Sequence, residues 1–140
     1  MEFLMDVAIN YLSVLLAAVL IMGTGALWYG PAFGKHWMKL KGYTPESVKN
    51  MKISAKKAMA LAALGALVTA FVLALLVRLL SPIGIGGAFM LALLVWIGFT
   101  VPLKANDVLF EDGDWKLFLF HIAENFVALL IAAVILTLWQ

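Results

Sequence analysis

No cysteine occurs anywhere in the chain, so disulfides, thiolate nucleophiles, iron–sulfur clusters and Cys-type zinc sites are excluded by inventory. Charge is scarce as well. Only 13% of the 140 residues are Asp, Glu, Lys or Arg, about half of what a water-soluble domain carries. A G-x-S-x-G elbow, a P-loop, an H-E-x-x-H helix and a dinucleotide glycine pattern are all missing, and GIGG at 84–87 is too short to stand for one. The first residues, MEFLMDVAIN, lack the basic n-region of a secretion signal, so the apolar run behind them reads as a retained span.

What fills the chain instead is apolar sequence: 65% of residues are hydrophobic and the mean hydropathy is +1.05. Crossing a hydrocarbon core of about 30 Å as helix takes roughly 20 apolar residues. Runs of that length lie at about 7–29, 58–80, 86–110 and 115–139. No segment alternates as a membrane strand would, and backbone in lipid must satisfy its own hydrogen bonds. The expectation is therefore an all-α, polytopic membrane protein: a single bundle of four transmembrane helices. The third run contains Pro102, Lys104, Asn106 and Asp107 in its second half. A kinked helix reaching Phe110 is the preferred reading there, and a helix stopping near Val101 is the alternative.

Seven of the ten basic residues (Lys35, Lys39, Lys41, Lys49, Lys52, Lys56 and Lys57) fall between the first and second runs, whereas the SPIGIGG connection carries no charge. The positive-inside rule puts the lysine-rich connection in the cytoplasm and both termini outside the cell membrane. Arg78, with Glu2 and Asp6, is expected at the outer rim as an ion pair. Within the basic connection, Thr44, Pro45 and Glu46 form a helix start, and no helix breaker is read from there until Ser81. A continuous helix over 45–80, roughly 54 Å long at 1.5 Å per residue, is expected to project its first third from the membrane.

The stretch GALWYGPAFGKHWMKL ends the first span. Phe33, Trp37 and Leu40 recur at i, i+4, i+7 with lysines mostly off that face, which predicts a short amphipathic helix lying in the interface. Trp28 and Tyr29 are expected at headgroup level as anchors, with the lysines drawn to anionic lipids at about 1 kcal/mol each. The same charge could meet nucleic acid, but no nucleic-acid-binding fold is recognisable, so none is expected as a partner.

Along the second span, Ala58, Ala62, Ala66, Ala70 and Ala74 repeat every four residues beside Gly65, a small-residue stripe that permits close helix approach. The partner is another span of the same chain or, alternatively, a second copy. WIGFTVP and GALWYGP resemble one another too weakly to establish an internal repeat.

Ionisable residues within spans are costly and mark candidate sites. Glu124 shares a helix face with His121, and Asn125 lies beside it; Lys104 and Asp107 reach a similar depth if the third span continues to Phe110. Three readings are open: a proton or ion relay with Glu124 as carrier and His121 titrating near neutral pH, a polar network that only fixes helix packing, or the lining of a small-molecule pocket. A carboxylate-bridged metal site would need further inward carboxylates, which the first two spans do not supply, so no metal or other cofactor is expected.

GALWYGPAFGKHWMKLKGYTPE, followed by WIGF, Pro102, Asn106, LFE at 109–111 and KLFLF at 116–120, resembles the bacterial and archaeal membrane family known as domain of unknown function 1761. The resemblance covers nearly the whole chain and implies a four-helix integral membrane protein, with no activity attached. On the residues alone, the leading functional expectation is a small non-enzymatic structural or accessory membrane component, with self-association open. A small transporter using His121, Glu124 and Lys104 is the rival, and an enzyme acting on lipids comes third.

Overall fold

The structure, a computed structural model, describes Glu2 and residues 6–140. It is helical throughout, without strands among the described residues, and four helical stretches are long and apolar enough to cross a membrane: Tyr11–Ala32, Ala55–Leu80, Gly84–Phe110 and Trp115–Leu138.

Helix α1 (Tyr11–Leu27) begins later than the apolar run because Asn10 caps it, its side-chain oxygen accepting from the backbone N–H groups of Leu12 and Ser13 at 3.1 and 3.4 Å. It passes into a wider, π-type turn at Trp28–Ala32 that holds Pro31, and Gly30 there leaves helical geometry at φ −114°, ψ −111°. Proline cannot donate to the preceding turn and crowds the carbonyl four residues back, so the ladder widens and the chain bends away. Helix α2 (Gly34–Lys41) follows and ends on Gly42, whose φ of +71° closes a Schellman motif: Gly42 N–H donates to Lys39 O and Tyr43 N–H to Met38 O.

The expected continuous helix over 45–80 does not form. A short α3 (Pro45–Lys49) starts where the sequence places it, with Thr44 and Ser47 exchanging side-chain to backbone hydrogen bonds, but the chain leaves helical geometry after Asn50. Helix α4 (Ala55–Leu80) restarts at Ser54, whose hydroxyl accepts from Lys57 N–H at 3.2 Å. An unbroken helix would have stacked Lys49, Lys52 and Lys56 at i, i+3 and i+7, and like charges so spaced oppose helix formation. The cap at Ser54 resolves this by beginning α4 close to its apolar part.

The third span is one helical stretch with a bulge: α5 (Gly84–Val95), a π-type turn at Trp96–Thr100, then α6 (Val101–Phe110) with Pro102 in its first turn. The widened turn accommodates the proline at its carboxyl end, and the helix continues to Phe110. Helix α7 (Trp115–Leu138), capped by Asp114, is the hub: α1, α4 and α5 all pack on it. Helix α4 also packs on α1, whereas α4 and α5 hardly meet, which leaves a cleft between the second and third spans floored by α7.

Alanines set the spacing of this core. Ala17, Ala70, Ala88, Ala92, Ala132 and Ala133 are fully buried, with Leu73, Val77, Leu91 and Leu136 between them. Without much hydrophobic driving force between helices in lipid, close van der Waals approach through small residues is what holds such contacts. The predicted stripe is divided by this packing: Ala66, Ala70 and Ala74 are buried, while Ala58 and Ala62 are exposed. At the far end, Arg78 donates to Gln140 Oε1 at 3.2 Å, a contact that stands where an ion pair with Glu2 or Asp6 was expected.

Candidate functional site

Two aromatic residues, each placed by one of the widened turns, meet α7 one residue apart. In the first, the hydroxyl of Tyr29 is hydrogen-bonded to His121 Nδ1 at 2.5 Å; with a neutral ring protonated at Nε2, the hydroxyl donates. In the second, Trp96 Nε1–H donates to the Ile122 carbonyl at 2.7 Å, and its ring packs on Phe126 at 5.1 Å. Widened turns rotate side chains off the regular helical positions, which suits them to such reaches and explains why they recur at functional positions.

Around Tyr29 the rings form a cap on the lysine-rich end of the bundle. Trp28 packs on Phe33 at 4.8 Å, Tyr29 on Trp37 at 5.4 Å, and Phe120 of α7 touches Trp28, Tyr29, Phe33 and His36 at 5.6–6.0 Å. Among the five residues read as interfacial anchors, four take part in this cap. Phe33 packs on Trp28 of the widened turn and Phe120 of α7, Trp37 packs on Tyr29, Trp28 and Tyr29 are half-buried among these rings, and Leu40 lies half-buried on α2. Phe120, at the centre of the cap, was not singled out from sequence; nothing in KLFLF distinguishes it from its neighbours.

The five polar residues proposed from sequence separate into two groups. Glu124 and His121 both face α1: His121 meets Tyr29, and Glu124, only 8% exposed, brings Oε1 to 3.7 Å from where a Cβ on Gly25 would stand. Gly25 and Tyr29 are one turn apart on α1, so the two helices match antiparallel, turn for turn. Lys104, Asp107 and Asn125 instead line a cavity of about 520 Å³ in the cleft between α4 and the third span, along with Thr69, Thr100 and Ile21. Lys104 and Asp107 are exposed, which corrects the expectation of a buried charge cluster: the third span is only loosely packed against its neighbours at this level. Lys104, Asp107 and His121 also line a second cavity, of about 240 Å³, with Lys41, Glu111 and Asp114. Thr69, Thr100 and Trp96 escaped notice in the sequence, where single Thr and Trp residues in an apolar run carry no signal of their own. Among the described residues, no three His, Asp or Glu side chains converge as a metal site would require.

Towards the other end the interior is mostly apolar, with Ser13 and Thr137 its buried polar side chains. Ala128, Leu129, Ala132, Ala133 and Leu136 of α7 are buried against Val14, Ala17, Ala18, Ala70, Leu73, Ala74 and Val77. The cavity beyond, beside Asn10, Ser13, Arg78 and Gln140, holds about 10 Å³, no more than the room one water needs.

Fold and site together define a small four-span helical membrane protein with polar and aromatic residues gathered at its lysine-rich end. The chain belongs to the family described as "Protein of unknown function (DUF1761)", whose profile matches residues 12–137. No curated protein and no solved structure matches the chain.

Proposed function

We propose that this protein is a non-enzymatic accessory or structural component of the cell membrane, not a conduit across it. The observation that carries this reading is the apolar half of the bundle. From Ala128 to Leu136, α7 rises roughly 12 Å with its buried face set against alanine, leucine and valine of α1 and α4. A hydrated ion or a proton leaving Glu124 for the far side would pass Thr69 beside Ala128 and Leu129 and then face only aliphatic side chains up to the level of Ser13 and Thr137, and desolvating charge in such an interior is costly.

By the positive-inside rule, the lysine-rich connection supports a reading with this polar end in the cytoplasm and both termini outside. Its lysines would draw anionic lipids. Ala58, Ala62 and Gly65 are exposed on α4, a small-residue surface free to meet a second copy.

Proton-linked transport is the second reading, favoured by one observation: Glu124 is a carboxyl residue 8% exposed inside a span, the kind of group that carries protons in pumps. Proteoliposomes containing a pH-sensitive dye separate the two. Under an imposed pH gradient and membrane potential, the accessory reading predicts proton entry no faster than in protein-free vesicles, for the wild type and for Glu124→Gln alike. Entry above that baseline that disappears in Glu124→Gln would replace it with the transport reading.

A further inference from the structure

Three cavities succeed one another along α7 and share lining residues. The one of about 240 Å³ shares Lys104 and Asp107 with the one of about 520 Å³, which shares Thr69 and Leu129 with a third of about 250 Å³ lined by Val68, Val72, Leu76 and Val95. Polarity falls steadily along this track. Charged groups crowd its first part, Thr69, Thr100 and Asn125 occupy the middle, and beyond Thr69 the last part is lined by aliphatic side chains. Phe99 and Leu103 border it at 69% and 66% exposure, so the track opens sideways from the bundle instead of into its core.

We propose that the track seats one phospholipid of the ethanolamine class, its headgroup between Lys104 and Asp107 and one acyl chain along α7 towards Val95 and Leu76. Three features select this occupant. The distance along the third span from Glu111 to Val95 is roughly 24 Å at 1.5 Å per residue, close to the depth of one leaflet with its headgroup, half of about 40–45 Å. Lys104 and Asp107 are charges of opposite sign one helical turn apart, both exposed and both facing the track, and they complement a phosphate and an ammonium group at matching depth. The headgroup end as a whole holds two lysines, Lys41 and Lys104, against three carboxylates, Asp107, Glu111 and Asp114. That excess of carboxylate disfavours an anionic glycerol headgroup. A primary ammonium can donate hydrogen bonds to those carboxylates, whereas the trimethylated ammonium of a choline lipid has no hydrogen to give.

The test is native mass spectrometry of the full-length protein in detergent, titrated separately with phosphatidylethanolamine, phosphatidylcholine and phosphatidylglycerol of identical chains. Ethanolamine lipid is expected to bind about tenfold more tightly than the other two, the equivalent of one charge-assisted hydrogen bond. Asp107→Asn should reduce that preference, Lys104→Gln, which removes the partner of the phosphate common to all three, should weaken the three lipids together, and Lys52→Gln, in the loop outside the track, should change neither. Thr69→Trp, which obstructs the middle of the track from an exposed position, should weaken all three lipids together. Helix content by circular dichroism identifies folded variants; should a headgroup variant not fold, the wild-type ranking and Thr69→Trp decide. Equal binding of the three lipids, a choline or glycerol preference, an ethanolamine preference undiminished in folded Asp107→Asn, or unchanged binding of all three lipids in folded Lys104→Gln would overturn the proposal. The seat is independent of the flux result: conduction through Glu124 would leave the lipid ranking untouched, and loss of the ranking would not create conduction.

Discussion

Replacing Tyr29 by Phe removes one oxygen from the interface between α1 and α7 and leaves the ring contacts with Trp37, Phe120 and His121, at 5.4–5.6 Å, in place. What is lost is the hydrogen bond to His121 Nδ1. A neutral intramolecular hydrogen bond contributes about 0.5–1.5 kcal/mol net, and interhelical bonds measured in membrane proteins average about 0.6 with a ceiling near about 1.7 kcal/mol. The bond should therefore show a coupling energy of about 0.6–1.5 kcal/mol in a double-mutant cycle of Tyr29→Phe and His121→Phe, both of which keep an aromatic ring at the site. Reversible unfolding in mixed micelles, followed by far-ultraviolet circular dichroism against the mole fraction of dodecyl sulfate, supplies the four stabilities. A coupling below about 0.3 kcal/mol, the scatter expected of independent sites, would refute the claim that this bond ties the first widened turn to α7.

Trp96→Phe, in the second widened turn, should cost about 0.5–1.5 kcal/mol in the same assay by losing the bond to Ile122 O, and Trp96→Ala clearly more, since the contact with Phe126 goes too. The two halves of the alanine stripe should behave oppositely: Ala70→Leu, at a fully buried position, should destabilise by about 1–3 kcal/mol through overpacking. Ala62→Leu, at an exposed position, should stay within about 0.5 kcal/mol of the wild type. Equal effects at the two sites would mean that α4 packs on a different face.

The helical class and the four spans were legible because apolar length is a signal no other arrangement satisfies in a bilayer. The beginning of α1 was less so. Asn10 lies within the apolar run, and only its place three residues before Ser13 hints at a cap. The break after Asn50 was misread because a search for glycine and proline overlooks charge: Lys49, Lys52 and Lys56, used to orient the chain, also oppose a helix passing through them. At the site, i and i+3 spacing correctly put His121 and Glu124 on one face, but periodicity within a helix says nothing about which neighbour that face meets. That Lys104 and Asp107 line an open cleft, while Glu124 lies against Gly25, depends on α4 and the third span both packing on α7 and not on each other. The kinship of WYGP and WIGF, too weak for a repeat in sequence, corresponds to two widened turns, each sending an aromatic donor to adjacent residues of α7.

The proposed function requires the apolar half of the bundle to close its polar end off from the other side, and the lack of native cysteine makes this closure directly measurable. Single cysteines introduced at Glu111, Ala132 and Leu136 can be exposed, in native membranes, to a water-soluble, membrane-impermeant maleimide applied to each face in turn. A closed bundle gives rapid labelling of Glu111→Cys from one face only, and no labelling of Ala132→Cys or Leu136→Cys from either. Labelling of Ala132→Cys at a rate comparable to Glu111→Cys would reveal a continuous water path through the bundle and contradict it.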